Sequence, residues 1–360
     1  MSKNMDVSKR KQSIIAGGLI SSAGIFFAKF IGLFYAVPYN SMLGTADNLA
    51  YYGVAFNIYS YLLNICTAGF PFAIATLIAK YSTRGDYQTS LLIKKLSASL
   101  MTCFGFGMMI IVILFSSPLA ALVMPDEGDS VKTMQMVLIL ISFALFFVPL
   151  LSSIRGFYQG LKHMEIYALS QVLEQVARVA FLLSASAIAV YALHTDQVWA
   201  LYFGVISTSI SAILAIMHLK LYDKKQLREL KRLAKTQEVA GNNDRREILQ
   251  EIVFIAFTYL IVAILGYSDT IVNTLFLSKG LEAHGNTDAE ILLISGSINY
   301  GVLKLMSIPM ILAPGFSSAI IPHITTALTN HDLKLVRKNI RDCVDIVLYI
   351  GLPISFCLFV

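Results

Sequence analysis

Charge is scarce in this sequence. Its 360 residues include 28 Lys and Arg and 22 Asp and Glu, 14% in all, where a soluble domain carries roughly a quarter. With 56% hydrophobic residues and a mean hydropathy of +0.69, the chain has more apolar surface than one core could hide, which excludes a water-soluble globule. The strict alternation of a membrane β-barrel is absent as well. So are the constellations of enzymes: there is no GxSxG, no HExxH, no P-loop and no clustered Cys and His, and the six histidines scatter at or near the ends of apolar stretches. No catalytic residue, metal site or bound cofactor is expected. The four cysteines, Cys66, Cys103, Cys343 and Cys357, sit inside apolar stretches with no CxxC spacing and read as small hydrophobes in helix packing. The first apolar stretch runs about 25 residues with no small-x-small cleavage site after it, so it is not a secretory signal.

What remains is apolar length. A span needs about 20 apolar residues, and the chain holds nine such stretches: roughly 13–37, 49–79, 96–123, 131–154, 165–192, 198–221, 249–277, 291–325 and 343–360. The expected fold class is an all-α, polytopic helical membrane protein. The second and eighth stretches are too long for one straight crossing. Pro71, Pro309, Pro314 and Pro322 are expected to bend or break them, since proline removes a backbone donor and clashes one turn back.

Placing the N-terminus inside puts 23 of the Lys and Arg in inner segments and only Lys132 and Lys279 outside, with Lys29, Arg178 and Lys304 within spans. That bias orients the protein with a cytosolic N-terminus in the cell membrane. The net charge of +6 is then a topology signal and not a nucleic-acid footprint, although basic inner loops attract anionic lipid.

One long polar stretch follows the sixth span, "DKKQLRELKRLAKTQEVAGNNDRRE" (223–247). Leu227, Leu230 and Leu233 recur among basic residues, which predicts an amphipathic linker helix on the inner leaflet; partner docking is the other use of such a helix. It divides an N-terminal lobe (1–222) from a second one (248–360). The division has an echo in the sequence. "YYGV" (51–54) returns as "NYGV" (299–302), "GFPFAI" (69–74) as "GFSSAI" (315–320), and Asp86 as Asp332. Six spans separate the copies, so both run the same way through the bilayer, a parallel pseudo-twofold repeat of six-helix lobes with a site between them near mid-membrane. By that rule the second lobe is incomplete in this chain, about three helices short.

A charge at a helix centre costs about 2.5–3.5 kcal/mol on insertion scales, so each one asks for a reason. Lys29 shares a face of span one with Gly18 and Ser22, a small polar face suited to a cavity; snorkelling to the outer headgroups is the competing account. Lys304 lies deep in span eight with Ser297, Tyr300 and Ser307 on its face, lining a cavity or pairing with Asp269. Span two carries a stripe of Asn57, Tyr61, Asn64 and Thr67, which either bonds to neighbouring helices or touches a sugar or headgroup. On span five Tyr167, Gln171, Glu174 and Arg178 make one polar face. Glu174 and Arg178, one turn apart, can neutralise each other, a structural or gating ion pair in preference to direct substrate contact. Asp269, with Asn273 one turn later, is the candidate site for a coupling cation, and a lysine partner would explain it equally well.

Two segments carry a resemblance. "KRKQSIIAGGLISSAGIFFAKFIGLFYAVPYNSMLG" near the N-terminus and "RGFYQGLKHMEIYALSQVLEQVARV" (155–179) resemble the Gram-positive polysaccharide-biosynthesis proteins of the MurJ/SpoVB/YtgP type, within the multidrug/oligosaccharidyl-lipid/polysaccharide (MOP) exporter superfamily. "GVLKLMSIPMILAPGFSSAIIPHI" resembles that family's eighth helix, and the likeness covers essentially the whole chain. The resemblance implies a lipid II flippase, or a relative handling another undecaprenyl-pyrophosphate-linked glycan, with two six-helix lobes around a cationic cavity. Lys29 and Lys304 match the cationic positions of the family's first and eighth helices. Gram-negative members also carry a cavity arginine on the second helix, where this chain has no charge before Lys80. Export would work by alternating access, aided by the membrane potential or a coupling cation. The competing reading is the superfamily's drug/cation antiporter branch, which would need unpaired carboxylates. The sequence is silent on the oligomeric state.

Overall fold

The computed structural model describes residues 35–67, 69–123, 129–242, 244–266 and 312–359, with scattered positions between 23 and 31 and between 268 and 294. The described elements are all helical. A short helix, α1 (Ala36–Leu43), leads through Gly44 to α2 (Ala46–Thr67) and α3 (Phe70–Thr83). Then come α4 (Tyr87–Leu114), α5 (Ser116–Val123), α6 (Asp129–Gly160) and α7 (Met164–Ala187), which closes in one π turn, Ile188–Ala192. The chain continues through α8 (Val198–Thr236), α9 (Arg245–Gly266), α10 (Leu312–Thr329) and α11 (Leu333–Phe359). Five segments are long and apolar enough to cross a bilayer: Tyr87–Leu114, Val131–Gly160, Met164–Ala192, Val198–Lys224 and Arg245–Gly266. Their outward faces carry large bare hydrophobics such as Leu114, Leu221, Phe254 and Leu265, each at least two-thirds exposed. In water such a belt would be an aggregation surface; against acyl chains it is in its own solvent. The chain is a multi-pass membrane protein.

The second apolar stretch breaks where the sequence places Pro71. Helix α2 is described to Thr67, and α3 starts at Phe70 with Gly69 as its N-cap and Pro71 in its first turn, where a missing N–H does no harm. Pro322 lies inside α10, whereas Pro309 falls outside the described residues. The third stretch begins earlier than its hydropathy suggests: α4 starts at Tyr87, because Asp86 caps it by accepting from Thr89 N at 3.0 Å.

Three turns share one closing motif. After α3, Gly85 N donates to Ser82 O (3.1 Å) and Asp86 N to Tyr81 O (3.0 Å), with Gly85 at φ 77°. After α10, His331 N donates to Leu328 O (3.0 Å) and Asp332 N to Ala327 O (2.9 Å), with His331 at φ 56°. Both are Schellman closures followed at once by an aspartate that caps the next helix, since Leu335 N donates to Asp332 Oδ1 at 3.0 Å. The Asp86 and Asp332 echo is therefore one of turn geometry. The turn after α6 closes in the same way through Lys162 and His163 but without an aspartate.

Helix α6 is the axis of the N-terminal bundle, packed against α2, α3, α4, α5 and α8, while α7 packs on α8. Two apolar clusters fill the bundle. One, around Tyr39, Leu43, Tyr52, Met134, Leu138, Leu182 and Leu201, lies toward one end. The other, around Ile74, Leu77, Ile93, Phe157, Tyr158, Leu219 and Ile252, lies toward the end holding the Asp86 turn. Close approach in the second cluster depends on Gly156 and Gly160, where an added Cβ would fall 2.7 Å from Pro71 O and 2.8 Å from Ala75 O of α3.

The linker does not form a separate surface helix. Helix α8 runs unbroken from Val198 to Thr236, so Leu227 and Leu230 continue span six and pack into the second cluster. Past Thr236 the chain folds back on the start of α4: Gln237 Oε1 accepts from Tyr87 N and Gln88 N, both at 2.9 Å. Asn242 N donates to Thr89 Oγ1 at 2.8 Å. A helix end has orphan N–H groups to satisfy, and the linker supplies their acceptors.

Candidate functional site

The polar face of α7 exists as the sequence reads it, and it has an additional member. Arg178 Nη2 lies 3.0 Å from Glu174 Oε1, the expected pair one turn apart. Arg155 of α6 reaches the other oxygen: its Nη1 lies 2.8 Å from Glu174 Oε2. Arg155 Nε donates to Ser170 Oγ (2.8 Å), which donates in turn to Tyr167 O (2.7 Å), and Gln171 Nε2 donates to Tyr167 Oη (3.1 Å). The side chains of Arg155, Glu174 and Arg178 are only 11%, 12% and 22% exposed. Beyond Arg178 lie the phenols of Tyr35, Tyr52 and Tyr59, close enough to interact with its charge.

Arg155 is the member of this cluster that reading by hydropathy assigns elsewhere, to an inner loop. The helix does not stop at the hydropathy boundary. It continues through "SSIRGFYQG", a run without proline, to Gly160, and its final turns bring the guanidinium back into the bundle. The signal was the G-x-x-x-G spacing of Gly156 and Gly160, which marks a packed helix face more than a loop.

Two members of the stripe on span two bond within their own helix. Asn64 Nδ2 donates to Ser60 O and Thr67 Oγ1 to Leu63 O, each at 2.7 Å. Both are bonds back to their own helix. Asn57 is half-buried on the same helix. Ser22, Lys29, Asp269, Asn273, Tyr300 and Lys304 lie outside the described residues.

The two halves of the chain meet at the end that holds the Asp86 turn. Lys80 of α3 pairs with Glu251 Oε1 of α9, and Tyr81 Oη donates to Glu251 Oε2 at 3.2 Å. Thr83 Oγ1 donates to Thr326 Oγ1 of α10 at 3.2 Å. Further in, the Phe72 and Tyr259 rings stack with centroids 5.4 Å apart. Gly69 faces Ala256 O so closely that any side chain there would overlap it. Within the N-terminal bundle the same end is tied by Asp223, which pairs with Lys94 and accepts from Tyr158 Oη, both at 2.6 Å. Among the described residues no group of three His, Cys, Asp or Glu side chains is placed to hold a metal ion.

Comparison with known proteins agrees with this architecture. The polysaccharide biosynthesis protein family matches residues 14–328. The lipid II flippase MurJ of Bacillus subtilis (strain 168) is 30% identical over 351 residues, covering 94% of this chain and 63% of that protein. Stage V sporulation protein B of the same organism is 21% identical over 344 residues, 95% of this chain and 64% of that protein. The chain thus spans a little under two thirds of the length of these relatives. Among solved structures, a MOP superfamily transporter from Pyrococcus furiosus with a binding pocket of reverse polarity superposes with a TM-score of 0.72 at 15% identity, over 95% of this chain and 72% of that one. A multidrug resistance MATE family transporter of the same superfamily, in an outward-facing conformation, gives 0.72 at 14% identity with the same coverage. At such identities they share the fold alone. By the span of the family match, with the fold of MOP transporters beneath it, this chain belongs to the polysaccharide biosynthesis protein family.

Proposed function

We propose that the protein is a flippase that moves a lipid-linked anionic glycan, an undecaprenyl-pyrophosphate-linked precursor such as lipid II, across the cytoplasmic membrane for cell-wall synthesis. The observation that carries this reading is the sign of the buried charge. In the N-terminal bundle two arginines surround one carboxylate, so this buried cluster is net positive, as an anionic cargo requires. The kinship with a protein named lipid II flippase supports the choice of cargo. One relative is named a flippase and the structural neighbours are named transporters, which supports an action without chemical catalysis.

In this reading Lys29 and Lys304 contribute one cation from each half to a central cavity, with Ser22, Asn57, Asn64 and Tyr300 beside them. The lipid tail stays in the bilayer while the headgroup crosses between the halves. The N-terminus is cytosolic, and the basic inner segments rest against anionic lipid. Outward movement of negative charge is downhill in an inside-negative cell by about 2.3 kcal/mol per charge per 100 mV. Asp269 and Asn273 remain the place for a coupling cation.

The drug/cation antiporter reading needs unpaired carboxylates in the cavity, for which the sequence offers Glu174 and Asp269. Glu174, the only carboxylate deep within the spans of the N-terminal bundle, is held by two arginines, which disfavours that branch. Depletion of the protein in its host tests the proposal: a lipid-linked glycan precursor should accumulate on the inner leaflet. Replacing Lys29 or Lys304 by Met should abolish complementation while protein levels hold. Full activity of both variants would remove the cavity assignment.

A further inference from the structure

The charge set around Glu174 does not close on itself. Two guanidinium groups share a single carboxylate, and after every pairing Arg155 Nη2 and Arg178 Nε remain buried without an acceptor. Buried donors left unpaired on a charged group are among the most unfavourable features a membrane helix can carry. Among the described residues no other carboxylate pairs with them. Span one has no acidic residue, Asp6 and Asp47 being the nearest on either side. Span two has none beyond Asp47, α6 has only Asp129 at its far end, and α8 has none before Asp223. Asp223 is already engaged by Lys94 and Tyr158. The groups that interact with Arg178 from span two and its approach are the phenols of Tyr35, Tyr52 and Tyr59, none of them a carboxylate.

We propose that Arg155 and Arg178 form an oxyanion site for a phosphate-class group inside the N-terminal bundle, with Glu174 holding the two guanidinium groups in register until the oxyanion takes its place. Guanidinium forks match phosphate oxygens in paired hydrogen bonds, which a lysine ammonium does not. Glu174 already spans the two forks with one oxygen on each, at 2.8 Å and 3.0 Å, and two oxygens of one phosphate can do the same. Ser170 fixes the angle of the Arg155 fork through its Nε, so both donors are oriented before a ligand arrives. The site is built from residues other than Lys29 and Lys304, and it rests on the flippase reading only for the source of its oxyanion, a lipid-linked pyrophosphate headgroup.

The test uses the whole protein in nanodiscs, titrated with inorganic pyrophosphate and, separately, with geranyl pyrophosphate, and read by calorimetry. Arg155→Met and Arg178→Met should each weaken binding at least about tenfold, with Arg178→Lys recovering only part of it. The decisive variant is Glu174→Gln. If Glu174 competes with the oxyanion, this change should tighten binding about tenfold, because it removes the internal rival and keeps the side chain's shape. If the cluster is only a structural brace, the same change loosens the forks and weakens binding or leaves it unchanged, which overturns the proposal. Tightening for both probes supports a headgroup site; tightening for the inorganic probe alone supports an oxyanion site fed by free phosphate. Equal displacement by chloride at the same concentration overturns the oxyanion assignment. Melting of each unliganded variant identifies any that fail to fold, and Glu174→Gln, which is isosteric, keeps the test available if the arginine variants do not. Failure of the flippase reading is recognised separately, by the absence of accumulated lipid-linked precursor with the binding pattern intact.

Discussion

Asp86 shows how much one side chain at a helix end can organise. It caps α4 through Thr89, and the same carboxylate accepts from Gln237 Nε2 at 3.2 Å and Asn242 N at 3.4 Å. A local capping signal thereby becomes the anchor of the linker that follows α8. Asp86→Ala should destabilise the protein by about 1–2 kcal/mol, the ordinary range for a lost cap, seen as a lower melting temperature in detergent. Proteolysis within residues 237–244 should speed up in the same variant, since its docking acceptor is gone; Asp86→Asn, which keeps an acceptor, should show little of either effect. Arg155 is the contrasting case. The Gly156 and Gly160 spacing marks its turn as packed helix, but its pairing is not local, because its partner Glu174 belongs to the next helix and the two meet only when α6 and α7 fold against one another.

At the scale of elements, the packing of α3 decides how the halves join. Its N-cap, Gly69, lies against the backbone of α9 at Ala256, and its inner face lies against Gly156 and Gly160 of α6. Small residues permit this approach where lipid offers no hydrophobic drive between helices. Gly69→Val should therefore push α3 and α9 apart, with a destabilisation of about 1–3 kcal/mol from overpacking. Thermal melting measures the loss, and Gly53→Val, at a glycine with open space around it, is the control that should melt like the parent. The elements themselves were readable from sequence wherever a local rule governs them. The break before Pro71 follows from backbone sterics, and the start of α7 at Met164 follows the hydropathy. The length of α8 did not follow, because its polar last turns are helical by propensity and become part of the core through Leu230, a contact that no window of sequence contains.

For the whole molecule, the closure around Glu251 is the feature with consequences for movement. Lys80, Tyr81 and Thr83 bind α9 and α10 at the end where the basic segments gather. If the halves rock about a central site, these contacts must part when that end opens. Lys80 and Glu251 are about a quarter exposed, so their pair contributes less than about 1 kcal/mol to folding, yet it bears directly on the balance between closed and open forms. A cysteine pair at Thr83 and Thr326, in a background without the native thiols, should crosslink readily in the parent. Glu251→Gln should lower the yield, and exchanging the charges (Lys80→Glu with Glu251→Lys) should restore it. Unchanged yields in all three would separate this contact from any gating movement. Transport should also respond to voltage: flipping in vesicles with an inside-negative potential should exceed that in depolarised ones, and equal rates would remove the potential as a driving force.

Sequence alone determined the class of molecule, the approximate places of the five long apolar spans described, the break in the second span, and the presence of a polar face on span five. Those properties are local or additive: hydropathy sums along the chain, proline and glycine act on their own turns, and residues one turn apart share a face by helical geometry. Only the tertiary structure decided that Arg155 completes the Glu174 cluster, that the linker docks on α4, and that Lys80 faces Glu251 across the two halves. Partners 171 residues apart in the chain, as Lys80 and Glu251 are, are chosen by how helices pack. Packing depends on side-chain size and close backbone approach at many positions at once, so no single stretch of sequence specifies it.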